Sequence, residues 1–151
     1  MSMGNVVDNL ISLEKTLSSL YQYFGKTFPD DSAFWMQLSE EETSHANFLK
    51  NYIHILPIEF QKMSKDLLTQ INDDLKKKIK EYESITPGRE DAANFACLTE
   101  KSSGEMHYQA LLENSSNSER VEVFKTLNFN DKNHATRINE YFSKKNKGIT
   151  P

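Results

Sequence analysis

Four long amphipathic stretches of this chain each carry one acidic residue in the middle of an otherwise apolar stripe: Glu14, Glu42, Glu100 and Asp131. This feature limits the possible folds more than any other. An ionised carboxylate in a core costs on the order of several kcal/mol unless it is paired, hydrogen-bonded or bound to a metal. Four converging on one interior would also repel one another. A chain built this way calls for something positive between them.

The stripes define the elements. Val7, Leu10, Glu14, Leu17, Tyr21 and Phe24 recur at steps of three and four, which puts them on one helical face and predicts a helix over about residues 5–26. Trp35, Leu38, Glu42, His45, Leu49 and Tyr52 predict a second over 31–54. Ala93, Ala96, Glu100, His107 and Leu111 predict a third over 89–113, and Phe124, Leu127, Asp131, His134, Ile138 and Tyr141 a fourth over 118–144. Between the second and third, Leu67, Leu68, Ile71, Leu75, Ile79 and Tyr82 hold a helical period through a more polar segment, which predicts a crossover helix. Breaks are expected at Gly25 with Pro29, at Pro57, and at Pro87 with Gly88. No strand-like alternation competes. The expected fold is all-α: an antiparallel four-helix bundle with a long helical crossover between helices two and three, in a single domain over residues 1–151.

Charge and cysteine usage exclude several classes. The net charge of -4 leaves no basic footprint for nucleic acid, and Lys76, Lys77, Lys78 and Lys80 follow Asp73 and Asp74, as on a solvated helix face. Cys97 is the single cysteine, so neither an internal disulfide nor a four-cysteine metal site can form. No window approaches the ~20 apolar residues that span a bilayer, and the amino-terminal stretch lacks a basic leader. A cytoplasmic protein with no membrane or nucleic-acid partner is expected.

Two of the carboxylates carry a histidine three residues later, Glu42 with His45 and Asp131 with His134, so each pair sits on adjacent turns of one face. Glu41, four residues before His45, competes with Glu42, but the stripe through Trp35 and Leu38 favours Glu42. The order repeats: 28 positions separate Glu14 from Glu42 and 31 separate Glu100 from Asp131. Two bare carboxylates plus two carboxylate-x-x-histidine pairs make the ligand set of a carboxylate-bridged two-metal centre in a four-helix bundle. Oxygen donors mixed with imidazole suit iron or manganese.

These residues resemble the ferritin-like superfamily of di-iron carboxylate proteins, closest to the rubrerythrin and bacterioferritin branch. "LISLEKTLSSLYQYF" is similar to that family's first helix, "EETSHANFL" to its second, "ACLTEKSSGEMHYQAL" to its third and "LNFNDKNHATRINEYF" to its fourth. The resemblance implies Glu14 and Glu100 as terminal carboxylates, Glu42 and Asp131 as bridging ones, and His45 and His134 as the imidazole ligands. It implies two iron ions, with manganese or zinc as alternatives. Asp131 departs from the family's glutamate, and Ser103 stands where a rubrerythrin carries a second glutamate. A single cysteine cannot supply the rubredoxin tail of typical rubrerythrins, so electrons from a separate partner are expected.

The activity implied is peroxidase-like or ferroxidase-like: reduction of peroxide or O2, or oxidation of iron(II), with electrons from a separate donor and a homodimer or larger homo-oligomer as the assembly. The alternative is a non-catalytic metal-binding or scaffold domain. Tyr21 and His107, each seven residues beyond a bare carboxylate, read as residues hydrogen-bonding or tuning the ligands. Cys97 reads as inert packing, His54 takes no role, and Phe34, Trp35, Phe48, Phe124 and Phe142 read as core.

Overall fold

The computed structural model describes residues 3–51, 65–101 and 134–144, and among these nearly every residue is helical and none lies in a strand. The helices are α1 (Met3–Thr27), α2 (Ser32–Asn51), α3 (Lys65–Ser84), α4 (Arg89–Glu100) and α5, the helical residues 134–144. The chain divides into two compact units, Met1–Thr86 with α1 to α3 and Pro87–Pro151 with α4 and α5.

The break between α1 and α2 follows from Pro29. A residue before proline is pushed out of the α region, and Phe28 has φ -119 and ψ 86. Its N–H still reaches Phe24 O at 2.9 Å, closing the last turn of α1. Pro29 then opens a single 3₁₀ turn, Pro29–Asp31, which runs directly into α2. Gly25 does not end α1, which continues to Thr27. A Cβ at Gly25 would stand 2.8 Å from Met36 Sδ, so this glycine serves the close approach of α1 and α2.

Contacts fix the directions in the first unit. Ser18 meets Ser39, Glu14 meets His45 and Tyr21 meets Trp35, so α1 and α2 are antiparallel. Asn72 bonds Ser12 while Tyr82 meets Tyr23 and Phe24, so α3 runs parallel to α1. The core rests on Leu10, Leu13, Leu17, Leu20, Leu38 and Leu75 with an aromatic cluster around Trp35. Phe24 meets Trp35 edge-on with centroids 4.9 Å apart, and Tyr21 stacks on the same indole at 5.5 Å. Burying a ring of this size stabilises by roughly 2–3 kcal/mol. Tyr82 ties α3 to this cluster, its carbonyl accepting a hydrogen bond from the Tyr23 hydroxyl.

Thr86, Pro87 and Gly88 are non-helical, and in the second unit α4 begins without a side-chain cap, Ala92 N–H reaching Gly88 O at 3.0 Å. Glu90 and Asp91 lie in the first turn, where the helix dipole favours negative charge. Arg89 stacks over Phe142 at 4.4 Å, Cys97 reaches Ala135 O at 3.6 Å and Glu100 meets His134, so α4 and α5 are antiparallel. Trp35 and Phe142 are buried as expected, whereas Phe34 and Phe48 are half-buried at the edge; Phe124 and His54 lie outside the described residues. Among the described residues no helix is long and apolar enough to cross a membrane.

Candidate metal centre

In α1 the side facing α2 reads Leu10, Leu13, Glu14, Leu17, Ser18 and Tyr21, all buried. In α2 the facing side reads Trp35, Leu38, Ser39, Glu42, His45 and Ala46, also buried. The helical period therefore carries Glu14, Glu42 and His45 inward along with the leucines around them.

These three form one group. Glu14 is 4% exposed, Glu42 0% and His45 5%. His45 Nδ1 lies 3.7 Å from Glu14 Oε2 and 3.9 Å from Glu42 Oε1. One ligand atom from each residue falls within 4.8 Å of the others. Two carboxylate oxygens and one imidazole nitrogen so placed can share a single cation, and the donor set suits a hard or borderline divalent metal. Glu41 is half-buried beside the fully buried Glu42, so the residue that joins the group is the one on the stripe.

The second unit holds a second carboxylate and imidazole. His134 Nδ1 is 3.3 Å from Glu100 Oε1, and both side chains are fully buried. The pairing links α4 to α5 through the same ring nitrogen that His45 offers. Asp131 and His107 lie outside the described residues. Tyr21 is fully buried and stacks on Trp35, two turns along α1 from Glu14. Cys97 is half-buried against α5.

The sequence reading missed what sets the spacing of α1 and α2. Ser18 Oγ donates to Ser39 O at 3.0 Å and Ser39 Oγ to Ser18 O at 2.9 Å, and Thr43 Oγ1 sits 2.9 Å from Ser18 Oγ. Small hydroxyl side chains let the two backbones come close while their polar atoms stay satisfied. The seam lies one turn from Glu14 and one from Glu42. Its only sequence signal is position: Ser18 falls four residues after Glu14, and Ser39 three before Glu42.

No protein-family model, characterised protein or solved structure matches the chain.

Proposed function

We propose that the chain is a ferritin-like, four-helix di-metal protein that binds two iron ions and uses them to reduce peroxide or O2, or to oxidise iron(II). The observation that carries this reading is the buried group of Glu14, Glu42 and His45, with ligand atoms within 4.8 Å of one another. Glu100 and His134 supply a second buried carboxylate and imidazole, and the repeated spacing adds Asp131 to the proposed ligands.

Iron bound by such residues supplies electrons to peroxide or O2, and a separate donor returns them. The chain's own part is to bind and shield. Glu14, Glu42 and Glu100 bring the negative charge that balances the cations, while His45 and His134 present Nδ1 as neutral donors. Leu10, Leu13, Leu17 and Leu38 keep water away from the first group, which strengthens every electrostatic contact within it. We further propose a homodimer or larger homo-oligomer as the working assembly, on the ferritin-like resemblance alone.

The test is anaerobic loading of the metal-free protein with iron(II), followed by peroxide or O2 while the optical spectrum is recorded. Oxidation of iron(II) faster than in buffer, with a ligand-to-iron(III) absorption, is expected. Iron(II) that binds and is not oxidised faster than in buffer identifies a non-catalytic metal-binding domain, and no binding removes the reading.

A further inference from the structure

α3 carries its acidic and basic residues in short blocks, and the fold sorts them. Lys78 reaches Glu81 at 3.6 Å and Gln70 donates to Asp74 at 2.8 Å, along the helix. Lys76, Lys77 and Lys80 instead line a groove of about 740 Å³ between α3 and α1, where Lys15 joins them from α1. Against these four exposed lysines the groove wall holds one acidic residue, Glu83. None of the four lysines makes an ion pair among the described residues. The first unit is acidic as a whole, with nine Lys and no Arg against thirteen Asp and Glu, so this is a positive island on a negative body.

The hydroxyls of the groove are also sorted. Thr16 and Ser19 donate to the backbone carbonyls of Ser12 and Lys15, one turn back. Ser12 Oγ instead accepts from the buried Asn72 amide at 2.8 Å, which leaves its own O–H to donate. Thr16 and Ser19 thus have no O–H left for the groove, and its donors are the Ser12 hydroxyl and the lysines, on a side of α1 other than the one that holds Glu14 against α2.

We propose that this groove binds a small anion bearing several charges, of the polyphosphate class. Its four cations against one anion match a ligand of about three negative charges or more. Lysine ammoniums act as point charges rather than planar forks, so recognition is by charge and not by the shape of an attached group. The volume lies in the range of small-molecule sites. The groove's wall contains neither an aromatic ring nor an arginine to stack on a base, so an attached nucleoside adds nothing. The site is independent of the metal reading.

Pyrophosphate titrated calorimetrically into the full chain tests this. Saturable binding of one equivalent is expected, tighter than that of orthophosphate and weakening as sodium chloride is raised. Lys76→Gln with Lys80→Gln should weaken it about fivefold to thirtyfold, on the scale of two exposed charge pairs. Lys78→Gln, which alters a lysine engaged with Glu81 outside the groove, should leave it within about twofold. Absence of saturable binding, a double variant that binds like the parent, or an equal loss in Lys78→Gln would overturn the proposal. Heat from pyrophosphate stripping a metal would be the same in all variants and so counts against it. Helical circular dichroism of each variant, expected to match the parent, separates lost binding from lost fold.

Discussion

Ser18 and Ser39 exchange hydrogen bonds across the antiparallel pair α1 and α2, each hydroxyl reaching the other residue's carbonyl, with their oxygens 2.8 Å apart. This seam sets the register in which Glu14 faces Glu42 and His45. Ser39→Ala removes one donor and keeps the close approach, so it should cost about 1 kcal/mol in chemical denaturation and leave metal loading intact. Ser39→Leu forces the helices apart; it should cost about 1–3 kcal/mol and lower loading as well. Equal loading in the two variants would show that the seam does not position the ligands.

Two carboxylates buried within 4.8 Å of each other favour a cation and disfavour the empty site. Glu42→Gln keeps the shape and removes one charge. The metal-free variant should be as stable as the metal-free parent or more so, while its metal affinity falls by at least about tenfold. A metal-free variant destabilised by more than about 1 kcal/mol with unchanged affinity would mean that Glu42 is held by protein partners alone.

Ligand binding to the folded state alone raises its stability by mass action. Iron(II) or manganese at about a hundred times its dissociation constant should add about 2.7 kcal/mol to unfolding, reversed by a chelator. His45→Ala should remove most of that increment. The measurement is thermal unfolding with and without metal, and no shift in the parent would contradict the metal reading.

Gly25 and Met36 should be energetically coupled. Alanine in a helix interior gains about 1 kcal/mol over glycine, but a Cβ at residue 25 would press on Met36 Sδ at 2.8 Å. Gly25→Ala alone should change stability by less than about 0.5 kcal/mol, the gain being offset by a displaced rotamer. In a Met36→Ala background the same change should stabilise by about 0.5–1 kcal/mol. Additive effects would remove the close-approach argument.

How much of this was legible depended on what each signal was made of. The apolar period placed α1 within two residues at its start and one at its end, because Leu10, Leu17 and Phe24 bury one continuous face. It also found α3, whose Leu75 and Tyr82 keep the period through a polar segment. The choice of Glu42 over Glu41 came from the same stripe and agrees with their burial. The hydroxyl seam escaped because serine carries no apolar signal, and its burial depends on a partner 21 residues away. The run KKKIK reads as a solvated face, and Lys76, Lys77 and Lys80 are exposed as expected; that Lys15 of α1 lies along the same groove had no signal in the sequence. The spacing of Glu100 and His134, 34 residues apart, needed the antiparallel pairing of α4 with α5 to become a contact.

The most direct test of the metal centre is a count. Metal-free protein is incubated anaerobically with excess iron(II), freed of unbound metal, and its iron measured per chain in the parent and in Glu42→Ala. The account predicts two iron ions in the parent and a loss of at least one in the variant, with the helical spectrum of both unchanged. Fewer than one iron per parent chain, or equal iron in the two proteins, would contradict it.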